Sequence, residues 1–345
     1  MLTENEIMFL QEELKTAKNP LFYYDNDPDG LCAFLLLYKI NREGRGIIVN
    51  SAPKVDMKLF HKVTENNPDK IFVLDLSEIE QEFIDNAKRP IIWIDHHQPM
   101  KLKNVHYYNP RIKDPEAYIP TTVMAYQVNQ KPEDLWIATI GCLSDYCMPK
   151  YIDEFAKKYP HLMPKKKDLD TIIFNSPLGN LVRIFFFLLK GKTSEVKKCV
   201  TILSRINSPD EILNQETPAG KFLYQRFEKF NKKYEVLFKE ATKKVGREKL
   251  LIFYYDQEKL SFTSDLANEL SSKYPKKAIL IYRRKSGEMK CSLRARFDIA
   301  SVLAKALEGI DGYGGGHPNA CGAVIKEEDW DQFLSNLNRR LKEKK

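Results

Sequence analysis

The hydrophobic residues of the first 150 positions fall into short continuous runs, each followed at once by polar or acidic residues. A short apolar run bounded by turn residues is typical of a strand buried on both faces of a parallel sheet. Runs of this kind predict strands at residues 21–24, 46–50, 71–74, 91–94 and 105–108. Helical periodicity predicts helices at residues 1–19, 31–40, 78–88, 121–129 and 133–144. This order indicates a doubly wound, mainly parallel α/β sheet over residues 1–150, with right-handed crossovers.

The pattern changes after residue 150. Strand runs disappear, and helical periodicity near residues 176–190, 194–206 and 218–244 predicts a helical linker over residues 151–245. Strand runs then return at residues 250–255, 278–282, 289–293 and 320–325, with helical segments at 261–273, 298–308 and from 328. We therefore predict a smaller α/β domain over residues 246–345, in which residues 314–316 form a glycine loop.

Composition narrows the class of protein. The chain has 345 residues, of which 43% are hydrophobic and 30% charged, as in ordinary globular proteins of several domains. It has no apolar run of the about 18–20 residues that a membrane span needs, no signal-peptide pattern, and six scattered cysteines without a C-x-x-C pair. We expect a cytoplasmic protein with free thiols and no membrane contact. The net charge of +8 suits a polyanionic partner.

Acids and histidines follow three of the predicted strands. They stand in the segments Asp25-Asn26-Asp27-Pro28-Asp29-Gly30, Asp75-Leu76-Ser77 and Asp95-His96-His97. Open α/β sheets bind ligands outside the carboxyl ends of their strands, so these side chains are expected to meet. Clustered carboxylates repel one another unless a cation lies among them, which favours a metal site. The first segment could also be a solvated acidic turn or a calcium loop, although a calcium loop would have a later glutamate.

The position of two further acids in the chain does not decide whether they have a structural role or a role in the site. Asp75 could cap the following helix, but Ser77 and Glu80 match a capping box and leave Asp75 available as a bridging ligand. Asp145 follows a helix that ends at Ser144, where the helix dipole disfavours a negative charge, so a site role is favoured. Asp95 is predicted to orient His96 rather than to bind a metal directly.

The proposed ligand set is rich in oxygen and contains one imidazole, which suits Mn²⁺ or Mg²⁺ better than Zn²⁺. Two such ions about 3.5–4 Å apart would lower the pKa of a water held between them. That arrangement supports in-line attack on phosphorus.

The ordered motifs resemble those of the DHH phosphoesterase superfamily, and Arg294 with Gly314-Gly-Gly-His-Pro-Asn-Ala-Cys-Gly322 resembles its associated C-terminal domain. The resemblance implies that two Mn²⁺ ions, with Mg²⁺ as the alternative, are bound by Asp25, Asp27, Asp29, Asp75, His96 and Asp145. It implies that His97, together with Asp95, acts at the scissile phosphate. It also implies that the end of a nucleic acid is bound by Arg294, Gly315, Gly316 and His317. Tyr313 is either a stacking platform for a base or a turn-packing residue.

One position separates branches of this family. Tyr23 stands where many members have a metal-binding histidine, and Asp-x-Asp-x-Asp-Gly is the form typical of RecJ-like exonucleases. The resemblance therefore implies an exonuclease that releases mononucleotides from an end of single-stranded DNA or RNA. The alternative is an oligoribonuclease or 3′-phosphoadenosine-phosphate phosphatase acting on very short substrates. A scaffold role beside a helicase or replisome protein is a third hypothesis.

Overall fold

The computed structural model describes residues 1–50, 54–256 and 260–343. The chain divides into two compact units, Met1–Phe227 and Glu228–Lys345. The predicted division into three segments, with boundaries at residues 150 and 245, stays a prediction. Within the described residues, no helix is both long and apolar enough to cross a membrane.

The first unit is built on a five-stranded parallel sheet with the strand order β2-β1-β4-β6-β7. A separate short parallel pair joins β3 to β5. The strands are β1 (Leu21–Asp25), β2 (Arg45–Val49), β3 (Lys54–Val55), β4 (Ile71–Leu74), β5 (Glu78–Ile79), β6 (Ile91–Ile94) and β7 (His106–Tyr108). Strands β4 and β6 are wholly buried, which explains their unbroken apolar runs. The predicted parallel α/β fold is confirmed.

Helices connect and cover this sheet. They are α1 (Glu4–Thr16), α2 (Pro28–Asn41), α3 (Phe60–Asn66), α4 (Gln81–Ala87), α5 (Thr121–Asn129), α6 (Leu135–Ser144), α7 (Ile152–Lys158), α8 (Leu169–Phe174), α9 (Pro177–Leu188), α10 (Thr193–Leu203) and α11 (Pro209–Leu213). The capping box predicted at Ser77 and Glu80 is wrong. Helix α4 starts three residues later, with Glu80 as its N-cap, because Glu78 and Ile79 pair with β3 as a strand. Pairing with a distant segment has here overridden a local helix signal.

A buried ion pair ties α2 to the start of α6. Lys39 Nζ lies 3.1 Å from Asp134 Oδ1, and the two side chains are 5% and 1% exposed. The Asn129 amide donates to the other Asp134 oxygen at 3.2 Å, and Lys39 also donates to the Ile206 carbonyl oxygen at 3.2 Å. Loss of one partner of such a pair leaves the other charge buried without compensation.

Helix α12 (Pro218–Lys243) contains the division between the units, and a mixed sheet of order β11-β12-β10-β9-β8 forms the second unit. Its elements are β8 (Leu250–Tyr254), α13 (Thr263–Lys273), β9 (Ala278–Lys285), β10 (Glu288–Arg294), α14 (Ala300–Ala306), β11 (Gly312–His317), β12 (Ala320–Lys326) and α15 (Trp330–Glu343). Strands β8 and β9 are parallel and the other pairs antiparallel. Leu280, Leu293, Ile325 and Phe333 belong to its buried core.

The predicted glycine loop is wrong, because Gly314–Gly316 lies inside the edge strand β11. That strand pairs with β12 along its whole length, from Gly312 to His317. A Cβ added at Gly314 would lie 2.7 Å from the Ala323 Cβ, so a glycine is needed where these strands approach. Local composition indicated a loop, but the cross-strand hydrogen bonds impose an extended conformation.

Candidate metal centre

The acidic turn after β1 folds back on itself. Asp27 is the N-cap of α2, and its Oδ1 accepts a hydrogen bond from the Gly30 N–H at 2.9 Å. A Cβ added at Gly30 would lie 2.8 Å from the backbone nitrogen and oxygen of Asp25. Glycine is therefore required for this close approach, which places the carboxylates of the turn near one another.

Asp75 follows β4 in a left-handed backbone conformation, with φ of +57°. For a residue other than glycine this conformation costs about 1–3 kcal/mol and persists only where surrounding contacts hold it. Here the Asp75 N–H donates to the Ile94 carbonyl oxygen at 3.0 Å, and its Oδ1 accepts from the Thr121 hydroxyl at 3.1 Å. The carboxylate is thereby held at the end of the sheet, with only 2% of the residue exposed.

His96 brings distant acids together. Its Nε2 lies 3.3 Å from Asp75 Oδ1 and 3.4 Å from Asp145 Oδ2. Asp145 is the C-cap of α6, and the Tyr118 hydroxyl donates to its carbonyl oxygen at 2.7 Å. The predicted site role of Asp145 is thus supported by its position beside His96, although its exact role stays a proposal.

Asp29 is fully buried and anchors the start of α5. Its two carboxylate oxygens accept from the N–H groups of Thr121 and Thr122 at 2.8 and 2.9 Å. The Thr122 hydroxyl in turn donates to the Asp29 carbonyl oxygen at 2.8 Å. Each carboxylate oxygen can still accept a second interaction, so this anchoring is compatible with metal binding.

These side chains form three overlapping sets whose ligand atoms lie within 4.8 Å of one another. The sets are Asp75, His96 and His97; Asp29, His96 and Asp145; and Asp25, Asp27 and Asp75. Asp75 and His96 each belong to two sets, and the bridging role predicted for Asp75 stays a proposal. The six predicted ligands thus meet at one end of the sheet, and their individual assignment to metals stays a proposal.

The clustered carboxylates repel one another, which favours a cation among them. Burial, reinforced by the charges of Asp25 and Asp29, raises the pKa of Asp27 to about 7. Burial and the neighbouring carboxylates also raise the pKa values of Asp75 and Asp145 well above the ordinary range. Divalent cations among these oxygens would remove the repulsion. The donor set therefore fits Mn²⁺ or Mg²⁺.

Asp95 is positioned against His97. Its Oδ1 lies 2.6 Å from the His97 Nδ1, and its Oδ2 accepts from the His97 N–H at 3.0 Å. The amide of Asn109 and the hydroxyl of Tyr107 donate to the same carboxylate at 3.1 and 3.3 Å. Burial of His97 opposes its protonation, but the hydrogen bond and charge of Asp95, together with the charges of Asp25 and Asp27, outweigh burial and raise the His97 pKa. The contacts thus differ from the prediction that Asp95 orients His96.

Sequence reasoning missed the residues that hold the ligands in place. Thr121 and Thr122 both bind Asp29, and Thr121 also binds Asp75. Tyr118 binds Asp145, and Asn109 binds Asp95. One signal was available, because the first N–H groups of a helix attract carboxylates and Thr121 opens a predicted helix. The sequence alone could not show which buried acid would bind the N-terminus of this helix.

The predicted substrate residues lie in the second unit. Arg294 donates to the Asn268 side chain at 2.5 Å and to the carbonyl oxygens of Leu293 and Cys321 at 2.8 and 3.1 Å. Arg294 and His317 are both opposite Ala320 in the sheet, so they share one row across three strands. Gly315, Gly316 and His317 are exposed on the edge strand, as is Tyr313 at 68%. Tyr313 therefore does not pack into a turn.

Comparisons with known proteins cover both units. Residues 21–172 match the DHH family, N-terminal domain, and residues 248–343 match the DHHA1 domain. No curated protein sequence matches the chain.

Solved structures match over almost the whole chain. RecJ of Thermus thermophilus in complex with Mn²⁺ has a TM-score of 0.65 at 14% identity, covering 96% of this chain and 53% of that one. The DHH domain of a member of a family of ribosomal proteins has a TM-score of 0.65 at 14% identity, covering 98% and 89%. An exonuclease RecJ bound to manganese has a TM-score of 0.56 at 15% identity, covering 96% and 92%. The chain spans about half the length of the Thermus protein. At these identities the similarity shows a shared fold.

Proposed function

The chain is a RecJ-like member of the DHH superfamily of phosphoesterases, with a C-terminal DHHA1 domain, and on this premise we propose that it is a Mn²⁺-dependent exonuclease of single-stranded nucleic acid. In this proposal it hydrolyses DNA or RNA from an end and releases mononucleotides. The observation that carries the proposal is the partly buried cluster at the ends of β1, β4 and β6, in which Asp75 and His96 each belong to two ligand sets.

The proposed ligands of two Mn²⁺ ions, with Mg²⁺ as the alternative, are Asp25, Asp27, Asp29, Asp75, His96 and Asp145. When bound, the ions would supply a water of lowered pKa and neutralise charge on the phosphate. Thr121 holds two of these carboxylates, through its N–H to Asp29 and its hydroxyl to Asp75. This anchoring limits their movement before a ligand arrives.

His97 is the proposed residue that faces the scissile phosphate. Asp95 fixes its ring through Nδ1 and favours its protonated form. The protonated ring can donate a hydrogen bond from Nε2 to a phosphate oxygen. Asp95 is therefore proposed to act through His97, as a positioning residue.

The proposed substrate surface is the row of Arg294 and His317 with the exposed glycines of β11. Glycines without side chains let a nucleotide approach the backbone closely. Tyr313, which is 68% exposed, offers a ring on which a base can stack. The net charge of +8 supports a polyanionic substrate, and the proposal includes a helicase or replisome protein as partner.

The test is digestion of single strands labelled at either end, as DNA and as RNA, with Mn²⁺ and with Mg²⁺. Wild-type protein is expected to release mononucleotides, and His96→Ala is expected to release none while keeping its fold by circular dichroism. A dinucleotide and 3′-phosphoadenosine phosphate are assayed in parallel. Faster hydrolysis of these than of the long strand would replace the proposal with the short-substrate alternative. No hydrolysis of any of them would refute it.

A further inference from the structure

A groove runs beside β2, and none of the proposed metal ligands is in its lining. It is lined by Gly44, Arg45 and Gly46 at the start of β2, by Lys62 and Glu65 of α3, and by Lys197 of α10. All of these residues belong to the first unit. The groove therefore borders an edge of the parallel sheet and is flanked by two helices.

Strand β2 is an edge strand. Among the described residues it pairs only with β1, on one side. The Arg45 N–H donates to the Pro20 carbonyl oxygen at 3.0 Å, so Arg45 points its backbone groups toward β1. Backbone groups of successive strand residues alternate in direction. The N–H and carbonyl groups of Gly46 and Ile48 therefore point away from β1. These groups form a row of donors and acceptors that another extended chain can pair with.

The charge of the groove is positive. Arg45, Lys62 and Lys197 contribute three positive charges, and Glu65 contributes one negative charge, which gives a net charge of +2. Lys62 and Glu65 already pair at 2.7 Å, so the excess comes from Arg45 and Lys197. Cations at a sheet edge discourage pairing with uncharged strands, and the same cations favour a strand that carries acids.

A nucleic acid fits this groove less well than a peptide does. Of the three aromatic rings in its lining, Tyr24 and Phe34 are 1% and 4% exposed and offer no open face for stacking a base, and Tyr38 is half-buried. A nucleic-acid backbone also lacks the alternating donors and acceptors of an extended peptide.

From the free strand edge and the excess of positive charge, we infer that this groove binds an extended, acidic segment of a partner protein, which adds to the sheet as a strand beside β2. The partner site is separate from the proposed metal centre, and its existence does not depend on the hydrolytic activity.

The test starts by selecting short peptides from a random display library on the full-length protein. The selected peptides are expected to be acidic and rich in β-branched residues. Arg45→Glu with Lys197→Glu is expected to weaken their binding by about tenfold or more, which corresponds to roughly 1.4 kcal/mol. Lys198→Glu is the matched control on the same helix, because Lys198 lies over the Phe222 ring, 4.5 Å from its centre, and does not line the groove.

Hydrogen exchange then locates the bound peptide. The amides of Gly46 and Ile48 are expected to become protected, while the rate of nucleotide release stays unchanged in the double variant. Selection of no peptide, or of peptides that leave these amides unprotected, would overturn the proposal. Single-stranded DNA that protects the same amides and displaces the peptides would also overturn it, by assigning the groove to nucleic acid.

Discussion

The candidate functional residues of the two sheets differ in charge and in burial. The parallel sheet of the first unit ends in carboxylates that are buried together, such as Asp29 and Asp75. The mixed sheet of the second unit ends in an edge strand of exposed glycines, Gly314–Gly316. The first arrangement concentrates charge, and the second removes side chains from a surface. A metal centre needs the former, and close approach of a nucleotide to the backbone needs the latter.

The difference follows from the strand pattern. Parallel strands place all their carboxyl ends at one edge, so residues that follow β1, β4 and β6 meet there. Antiparallel strands alternate in direction and gather no such cluster. In the second unit, function is instead proposed for the row formed by the half-buried Arg294 and the exposed His317 on either side of β12.

The strongest test of the buried cluster is Asp75→Asn. We expect hydrolysis to fall by about 1000-fold or more, because the proposed shared ligand is removed from the centre that is proposed to supply much of the catalysis. The variant retains an Oδ1 acceptor for Thr121 and relieves repulsion, so its metal-free thermal midpoint should not fall. The stabilisation that Mn²⁺ adds to wild type should be lost.

Glu116→Gln, a change at an exposed acid, is the control for a general effect of lost charge. It should leave both hydrolysis and the Mn²⁺-dependent midpoint as in wild type. If Asp75→Asn kept both as well, the cluster would not be the metal centre, and the contrast between the two sheets would fail.

A second test concerns a buried charge that has its own partner. Lys39→Met is expected to lower the free energy of unfolding by about 3–5 kcal/mol, because it leaves the Asp134 charge buried without its ionic partner. Adding Asp134→Leu should restore much of this loss. Urea unfolding at neutral pH measures both effects, and Mn²⁺ stoichiometry should stay the same. A loss no greater than that of an exposed lysine, such as Lys198→Met, would contradict the expectation.

The smallest expected effect lies on the glycine strand. A Cβ added at Gly315 meets no described atom within 4 Å, so Gly315→Val should change stability by less than about 0.5 kcal/mol. We expect it to raise the KM for a single strand by about fivefold, since the side chain would cover exposed backbone; this is about 1 kcal/mol. An unchanged KM would remove β11 from the proposed substrate surface.

Gly316→Val is the contrasting change on the same strand. Gly316 has φ of +144°, and an added Cβ would lie 2.3 Å from the Ala320 carbonyl oxygen. This variant should destabilise the second unit in thermal unfolding, and Gly315→Val should not. The pair thereby separates a glycine that the fold requires from one that the ligand is proposed to require.

Much of the fold and the composition of the candidate site could be predicted from local signals. A run such as Ile91–Ile94 followed by Asp95-His96-His97 predicts a buried strand and its end, because the chain changes from apolar to polar residues at one point. The glycine at position 30 and the acids before it also form a local pattern. These signals predicted the parallel sheet and the group of residues at its edge.

Only the tertiary structure decided which groups hold one another. Asp29 binds the N–H group of Thr121 across 92 positions, and Thr121 binds Asp75 across 46. The pairing of Asp95 with Asn109, the strand β5 and the strand β11 likewise depended on neighbours distant in the chain. The sequence alone determined which residues could ligate and where strands end, because those properties depend on adjacent residues. The packing of helices against sheets determined the contacts, because a hydrogen-bond partner is selected by space and not by position in the chain.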